Sequence, residues 1–491
     1  MSDWLGGRLA QLREYPRHIV LGALVAGLLA MPLAPTYVVL VALAAAALAG
    51  RPLIALLAVT AVLAGAIGAQ ARLAALDRTV LPPYFGSTVV ADAVLLEQPR
   101  PVQYGATALA QLRAVAPSGR PLLPAADGER VMLRLLSRTV WPAVATGRVV
   151  RVTGRLRALG PFEQHYARKG AHAAISLDTA AATGQHRGGP WRLVDVIRGR
   201  AEQALSAGLA RPQAALLRGM VLGQDEALDE ATRDEFQAAG LSHVLAASGQ
   251  NVALLLALAL PVLAFAGLGW RRRLAVALGL IALYVPLAGA GPSIQRAGVM
   301  GAATTAAALA GRAPSRWYAL LLAAAVTLLL NPRAAADPGW QLSFAAVVAI
   351  ALATPAISER LRRRRVPAPV ADAAAMSLAA TLGTAPLIAY DFAQFSLVSL
   401  AANMLAAPAI APLMWLGMIA AALGQLAAPL AIPLNTLNGY LLGYVGAVAH
   451  TSAGVPHASI AVAIPGLTAL IAIYAALALG IALLRRNSRA T

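Results

Sequence analysis

Apolar blocks long enough to cross a lipid bilayer dominate this chain of 491 residues. Hydrophobic residues make up 59% of it and charged residues only 12%, about half the charged fraction of a soluble domain. A helix needs about 20 apolar residues to span the hydrocarbon core. Three apolar segments open the chain, near 18–33, 37–50 and 53–71, and the first two are short and interrupted by Pro. Further blocks follow near 244–268, 274–290, 297–311, 317–330, 341–357, 370–390, 397–425 (with a predicted break) and 460–484.

A different pattern separates these two groups of apolar blocks, from about Tyr84 to about Asp178. Apolar and polar residues alternate there in short runs bounded by Gly, Pro and Ser, which is typical of strands and turns. The predicted strands are Ser87–Glu97, Ala106–Val115, Glu129–Arg138, Arg148–Leu159 and Ala171–Leu177. Five short strands suit a small barrel such as the OB-fold. The sequence therefore predicts a polytopic α-helical membrane protein with an extracytoplasmic all-β OB-like domain.

The predicted domains are N-terminal transmembrane helices (1–80), the OB-like domain (81–185), an amphipathic helical connector (190–240) and a second transmembrane domain (241–491). Arginine clusters in short loops predict the orientation, because such clusters remain on the cytoplasmic side. These clusters are Arg271–Arg273, Arg312 with Arg316, Arg362–Arg365, and Arg485 with Arg486. They place the N-terminus and the C-terminus inside and the OB-like domain outside. The stretch 432–450, which contains Asn435 and Asn438, is expected to be interfacial or re-entrant, and the number of crossings in 391–459 stays open.

Two predicted strands of the OB-like domain carry arginines on one face and aliphatic residues on the other. The arginines are Arg130, Arg134 and Arg138 on one strand, and Arg151, Arg155 and Arg157 on the other. Residues 84–180 contain twelve Arg or Lys against six Asp or Glu. A basic face of this kind suits a polyanion such as DNA, whose phosphates supply much of the binding affinity. An ordinary solvated face in an arginine-rich protein explains the pattern equally well.

Polar residues also interrupt the apolar segments, where they are costly unless they face protein or water. Each residue alone is explained by a hydrogen bond between helices. As a set they favour a shared hydrated path, because several of them flank Pro or Gly, where helices break and backbone groups line cavities. The predicted channel-lining residues are His243, Ser248, Gln250, Asn251, Arg296, Asp337, Gln341, Asp391, Gln394 and Asn403. On a continuous helix over 240–256, His243 and Gln250 would share one face.

Several classes of chemistry find no support in the sequence. The chain has no Cys, which excludes disulfides and thiolate metal sites, and its seven His form no ligand cluster. The lone Lys169 is followed by Gly170 and Ala171, so no P-loop is present. No nucleophile elbow surrounds Ser248. We therefore predict no enzyme, no catalytic residue, no metal and no cofactor, and an intramembrane hydrolase using His243 and Ser248 is the least favoured alternative.

The polar insertions also resemble a known family, the ComEC DNA-internalisation proteins. The run "LLRGMVLGQDEALDEATRDEFQAAGLSHVLAASGQNVALL" (216–255) resembles the head of that family's competence domain. Three later runs follow in the family's order: "GAGPSIQRAGVM" (289–300), "LLLNPRAAADPGWQLSFAAV" (328–347) and "APLIAYDFAQFSLVSLAANMLAAP" (385–408). The run "GRVVRVTGRLRALGPFEQHYARKGAHAAI" (147–175) resembles the end of the family's OB-like domain. The chain is thus similar to that family over nearly its whole length.

The resemblance implies a channel in the bacterial cytoplasmic membrane, with the competence-type domain 241–491 passing single-stranded DNA inward during natural transformation. It implies as partners single-stranded DNA, the lipid bilayer, a cytoplasmic helicase-type motor, a DNA receptor and a separate nuclease, while an oligomer stays open. By motif position it places His243, Ser248, Arg296, Asp337, Gln341, Gln394 and Asn403 on the pathway. There are two departures from the family pattern. Asn251 stands where many members have His, and the chain is expected to lack their C-terminal metallo-β-lactamase-like domain. A transporter of another anionic polymer or lipid-linked substrate is the main alternative.

Overall fold

The computed structural model describes residues 13–489 except 33, 103–104, 118–127, 136–140, 143 and 246. It is mostly helical, with one small β-barrel-like domain near the N-terminus. The chain divides into two compact units: Met1–Gly199 with Gly267–Asp337, and Arg200–Ala266 with Pro338–Thr491. In this division residues 267–337 group with the N-terminal part, and the predicted domain bounds stay a prediction.

The described α-helices are numbered here in chain order. In the first unit they are α1 (Pro16–Ala30), α2 (Pro35–Ala49), α3 (Pro52–Leu76) and α4 (Gln164–Arg168), followed by α5 (Pro190–Ser206), which runs into the second unit. The second unit continues with α6 (Arg211–Leu222), α7 (Glu230–Ala238), α8 (Ser242–Leu245) and α9 (Gly249–Phe265). The first unit resumes with α10 (Trp270–Leu287), α11 (Pro292–Leu309) and α12 (Arg316–Leu330). The remaining helices are α13 (Pro338–Arg363), α14 (Ala368–Phe392), α15 (Ser399–Leu423), α16 (Ile432–Ala453) and α17 (Gly466–Arg489).

The first three helices each begin at a proline, at Pro16, Pro35 and Pro52. Proline suits the first turn of a helix, because its missing N–H would have no intrahelical partner there. The prolines that punctuate the predicted spans therefore mark the helix starts. Helix α1 lies directly against α3, and a Cβ added at Gly27 would come within 2.1 Å of the Val62 carbonyl oxygen. This close approach requires glycine at that position.

Six strands form the β-barrel-like domain: β1 (Thr88–Leu95), β2 (Arg100–Val102), β3 (Gly105–Pro117), β4 (Arg130–Leu135), β5 (Arg148–Arg157) and β6 (Ala171–His186). The sheet order is β1-β5-β6-β4-β3-β2, and an additional pairing of β1 with β3 closes five of the strands into a ring. Among the described strands of this sheet, β4 and β6 pair in parallel, whereas the other neighbours are antiparallel. All five predicted strands are confirmed, and the short β2 was not predicted.

Aliphatic residues from alternate positions of these strands fill the interior of the ring. They include Val89 and Ala91 of β1, Leu133 of β4, Val152 of β5 and Ile175 of β6, each with 0% of its surface exposed. Alternation of side chains along a strand sends the intervening polar residues outward. The alternation that predicted these strands is therefore also what builds the core of the domain.

A polar junction fixes this domain to the last turn of α3. The two ring nitrogens of His172 contact the Leu76 carbonyl oxygen, at 2.6 Å, and a carboxylate oxygen of Glu129. The other oxygen of Glu129 accepts a hydrogen bond of 2.7 Å from the Val80 backbone N–H. Two segments of the domain, one before β4 and one in β6, thus hold the linker that follows α3.

In the second unit, α13 and α14 pack along each other. A Cβ at Gly383 would lie 2.3 Å from that of Ala349, so a small residue is required where these helices cross. Helix α15 is one continuous helix although it contains Pro408 and Pro412. The predicted break within 397–425 is therefore wrong. A two-stranded sheet of β7 (Gln394–Ser396) and β8 (Ser459–Ala461) joins the segment before α15 to the segment before α17.

The predicted continuous helix over 240–256 is also wrong. The chain forms the short α8, leaves helical geometry before Ser248, and starts α9 at Gly249. The Ser248 hydroxyl accepts a hydrogen bond from the Gln250 backbone N–H and caps α9. Serine competes with the helix for backbone hydrogen bonds and favours such a start. The polar residues of this stretch therefore lie on two helices and a turn.

Five described helices are long and apolar enough to cross a membrane by length and composition. They are Pro52–Leu76, Pro338–Arg363, Ala368–Phe392, Ser399–Leu423 and Gly466–Leu483. Four shorter apolar helices, of 10–17 residues, are Pro16–Ala30, Pro35–Ala49, Gly249–Phe265 and Arg316–Leu330. Helix α16, which covers the stretch predicted to be interfacial or re-entrant, is not among these candidates. Its two polar residues Asn435 and Asn438 are fully buried.

Candidate functional site

Four of the predicted channel-lining residues surround one small cavity in the second unit. His243, Ser248, Gln250 and Asn251 line it together with apolar and thioether side chains from Met220, Val244, Ile410 and Met414. The cavity measures about 10 Å³, which is room for roughly one water molecule. The turn between α8 and α9, rather than the periodicity of one helix, brings these four polar residues together.

Asn251 is the buried anchor of this cavity, with 5% of its surface exposed. Its side-chain N–H donates a 2.9 Å hydrogen bond to the Met220 carbonyl oxygen, in the last turn of α6. Carbonyls in the last turn of a helix have no intrahelical donor, so Asn251 supplies one. The Ser248 hydroxyl in turn donates to the Asn251 side-chain oxygen, at 3.4 Å. Asn251 therefore holds α9 against α6. This structural role does not require a side chain that changes its protonation state.

The polar surface continues from this cavity toward the β7–β8 sheet. The His243 ring bonds to the Gly240 backbone, and Gly240, at a φ of +75°, lies so close to Ser399 that a Cβ would come within 2.4 Å of its side chain. Beside it, the Gln237 side-chain N–H donates a 2.8 Å hydrogen bond to the side-chain oxygen of Gln394. The Ser396 hydroxyl donates to the Ala238 carbonyl, at 2.7 Å.

We call these residues the polar strip: Gln237, Gly240, His243, Ser248, Gln250, Asn251, Gln394, Ser396 and Ser399. The strip joins the end of α7, the turn before α9 and the start of α15. Asn403 lies one helical turn beyond Ser399 on α15 and is half-buried. Two predicted residues, Gln394 and Asn403, thus lie on or next to the strip although they are far from His243 in sequence.

The other predicted channel-lining residues lie elsewhere in their units. Arg296 is buried in the second turn of α11, and Asp337 directly precedes α13, both within the first unit. Gln341 is half-buried in the first turn of α13, and Asp391 is exposed in the last turn of α14. Whether these residues share a path with the polar strip stays a prediction.

On the β-barrel-like domain, the predicted basic face is divided by ion pairing. Arg151 forms a two-fold hydrogen-bonded ion pair with Asp92, at 2.7 and 2.8 Å. Arg157 forms another with Glu163, at 2.8 and 2.5 Å. Arg155 is exposed and gives only its Nε–H to the Gly86 carbonyl, at 3.2 Å. Two of the three predicted arginines on β5 are thus already paired with carboxylates.

The remaining predicted arginines of this face belong to the strand β4 and the segment after it. Arg130 is exposed and donates to the Lys169 carbonyl, at 2.7 Å. Arg134 is half-buried, and its positive charge acts on Glu163. Arg138 lies outside the described residues. A DNA-binding role for these arginines stays a prediction.

The segment between β5 and β6 folds back over the outer face of β3 and β4. Its short helix α4 buries Tyr166 in an apolar cluster with Leu109 and Met132. The Tyr166 hydroxyl donates to that of Thr107, at 2.8 Å. The Arg157 guanidinium and the Gly160 backbone N–H bond to Glu163 at the start of this segment and hold the pKa of that carboxyl below its usual 4.5.

Sequence reasoning missed several members of these sites. Gln237 carried no signal, because a glutamine on an amphipathic helix is ordinary, and Met220 could be assigned to the cavity only once α6 and α9 were seen together. Helix α4 covers the barrel through tertiary contacts that no local pattern shows. Among the described residues, no group of three or more His, Asp and Glu could hold a metal ion.

Five described helices are apolar and long enough to cross a membrane, which together with the family match below suggests a membrane protein. The Competence protein family model matches residues 220–487, which include the polar strip and more than half of the chain. No curated protein and no solved structure matches the chain. The chain therefore belongs to the Competence protein family, which suggests a role in DNA uptake during competence.

Proposed function

We propose that this protein forms the passage through which single-stranded DNA crosses the bacterial cytoplasmic membrane in natural transformation. The observation that carries the proposal is the polar strip, which joins the start of the candidate membrane helix α15 to the turn before α9 and lies wholly within the segment matched by the Competence family. Polar groups inside a membrane-spanning region are costly unless they face protein or water. Hydroxyl and amide groups can hydrate a path, and because they are uncharged they do not hold a polyanion by ion pairs.

We propose further that the β-barrel-like domain is an OB-fold that receives DNA outside the membrane. Counting only the five strands of the ring, the order is first-second-third-fifth-fourth and back to the first, with the third and fifth parallel. That connectivity is the Greek-key arrangement of OB-folds. OB-folds commonly bind oligonucleotides, and the excess of arginine on this domain suits a phosphate backbone.

Energy for transport is expected to come from a partner, because no P-loop motif was found in the sequence. We therefore propose a cytoplasmic helicase-type motor as one partner, and a DNA receptor and a separate nuclease as others. In this scheme the protein holds and hydrates the strand while the motor pulls it. The oligomeric state in which the passage forms is left open by the proposal.

A transporter of another anionic polymer or a lipid-linked substrate would use the same basic domain and is the second candidate. An intramembrane hydrolase is favoured less, because the Ser248 hydroxyl is already occupied as the cap of α9 and as a donor to Asn251. A nucleophile needs a base within hydrogen-bond reach instead.

The deciding experiment measures transformation frequency and DNase-resistant single-stranded DNA in a deletion strain of the source organism. Loss on deletion and rescue by the wild-type gene are expected. The variant Gln237→Leu should reduce the internalised DNA, because it removes a polar group from the strip, while DNA bound outside stays normal. A matched variant on an exposed position of the same helix, Glu230→Gln, should transform normally. Undiminished transformation after deletion would refute the uptake role and favour the transporter.

A further inference from the structure

The strand register aligns outward-facing residues of four neighbouring strands in one row across the barrel. Thr88 of β1 pairs with Arg155 of β5, Arg155 with Ser176 of β6, and Ser176 with Arg134 of β4. Hydroxyl and guanidinium groups therefore alternate along a line perpendicular to the strands. Neighbouring strands lie about 4.8 Å apart, so the backbones at the two arginines are about 10 Å apart. We call these four residues the cross-strand row.

In the described structure, the two arginines of this row are not neutralised by a carboxylate, whereas their neighbours on β5 are. On β5, the flanking Arg151 and Arg157 are each held by both oxygens of a carboxylate. Within the described part of the chain, no ion pair engages Arg155 or Arg134. Glu163 feels the charge of Arg134, but both of its oxygens are already bonded to Arg157. In this part of the surface, the arginines of the row are therefore the ones that can form a new ion pair with a bound anion.

The face that OB-folds commonly use for oligonucleotides, around the second and third strands, is covered in this protein. Helix α4 lies there, with Tyr166 packed on Leu109 and Met132 and its hydroxyl bonded to Thr107. Bases that stack on such a face need the platform that α4 occupies. The cross-strand row begins beside this helix and runs away from it over β6, β5 and β1.

We propose that the phosphodiester backbone of single-stranded DNA binds along the cross-strand row, rather than on the covered face. This inference rests on the proposed role of the barrel as a DNA receptor. The two guanidinium groups supply charge-assisted hydrogen bonds to phosphate. The Ser176 hydroxyl can donate between them, and the Thr88 hydroxyl can donate on the far side of Arg155. The row contains no aromatic side chain, so it follows the backbone and does not read bases.

The test uses the full-length protein in nanodiscs of zwitterionic lipid, with a fluorescent oligothymidylate followed by anisotropy over a series of salt concentrations. For single strands, each phosphate contact contributes about 0.7 to the slope of log affinity against log salt. The double variant Arg134→Gln/Arg155→Gln should therefore lower the slope by about 1.4 and the affinity about tenfold at 0.15 M salt. The charge-matched control is Arg113→Gln/Arg151→Gln, which removes two arginines of the same domain that lie off the cross-strand row and leaves the Arg157–Glu163 pair in place. It should keep the wild-type slope.

Equal losses in both double variants would show only a general charge effect and overturn the cross-strand row. An unchanged slope in Arg134→Gln/Arg155→Gln would do the same while leaving DNA binding by the barrel intact. Absence of any binding by the wild type would instead refute the receptor role itself. Because the freed Asp92 would repel DNA, this control is biased toward weaker binding, so an unchanged slope there is a stringent result.

A variant of opposite sign provides an independent check. Asp178 is exposed on β6, two residues beyond Ser176, where the pairing of β5 and β6 is irregular. Its negative charge opposes a phosphate backbone on the row, so Asp178→Asn should raise the affinity for the oligothymidylate several-fold. An unchanged or lower affinity would contradict binding along the row.

Discussion

Two asparagines three positions apart in α16 have opposite hydrogen-bonding states. Asn435 and Asn438 are both fully buried. The Asn435 side-chain N–H bonds to the carbonyls of Ala204 and Ala207, at 2.7 and 2.8 Å, and so caps the end of α5. Among the described residues, neither the side-chain oxygen nor the nitrogen of Asn438 has a hydrogen-bond partner. Of these two side chains, Asn435 thus stabilises the packing of α16 against α5 by hydrogen bonds, and Asn438 does not.

This contrast predicts different stabilities for matched substitutions. Asn435→Leu should lower the free energy of unfolding by about 1–3 kcal/mol, because two helix-end carbonyls lose their donor. Asn438→Leu should leave it unchanged or raise it, because a buried amide without partners is replaced by an apolar group of similar size. Equilibrium unfolding in mixed micelles measures both. A large loss of stability in Asn438→Leu would show that the amide has a partner such as a buried water.

Ser248 separates a capping role from a catalytic one. Ser248→Ala removes the cap of α9 and should cost about 1 kcal/mol, whereas Ser248→Asn retains a capping oxygen. If the protein is a channel, Ser248→Asn should transform nearly as well as wild type and Ser248→Ala should retain part of the activity. Transformation frequency at matched membrane levels is the measurement. Complete loss in both variants would favour the hydrolase.

At the scale of elements, one ion pair secures α4 over the barrel. The pKa of Glu163 is lowered below 4.5 by its bonds to Arg157 and Gly160. A lowered carboxyl pKa contributes stability that is present above about pH 4.5 and is lost as the pH falls through the folded-state pKa. Helix α4 should therefore stay closed from neutral pH down to about pH 4.5 and loosen only in stronger acid.

The substitution Glu163→Gln should loosen α4 already at neutral pH, because the amide cannot bind the Arg157 guanidinium through two charged oxygens. Hydrogen exchange of the backbone amides in 164–168, corrected for intrinsic rates, measures the opening. Glu230→Gln removes the same charge from an exposed helix start elsewhere and should leave this exchange unchanged. Equal protection in Glu163→Gln and wild type would mean that Tyr166 alone holds the helix.

The elements that the sequence predicted well are those with a local cause. Alternation located all five strands of the ring, and long apolar runs located the helices. The prediction failed where a single residue competes with a pattern, as at Ser248, where a cap interrupts an apolar run. It also failed in α15, where a break was predicted within 397–425, but the helix continues through Pro408 and Pro412.

At the scale of the whole molecule, the sequence could not reveal which segments pack together. Residues 267–337 join the N-terminal unit, a grouping that hydropathy does not encode. Likewise, alternation assigned Arg134 and Arg155 to outward faces, but only the register shows that Ser176 lies between them. The polar strip required the same information, because Gln237 and Gln394 meet across a long stretch of chain.

The orientation of the whole molecule can be tested cleanly because the chain contains no cysteine. We expect the barrel outside and the arginine-rich turn between α13 and α14 inside, since arginine clusters in short loops stay cytoplasmic. In intact cells, a membrane-impermeant maleimide should therefore label Ala181→Cys on the exposed part of β6. Arg364→Cys should react only after permeabilisation, and the unsubstituted protein should not react at all. Labelling of Arg364→Cys in intact cells, with Ala181→Cys protected, would invert the topology and remove the barrel from the DNA-receiving side.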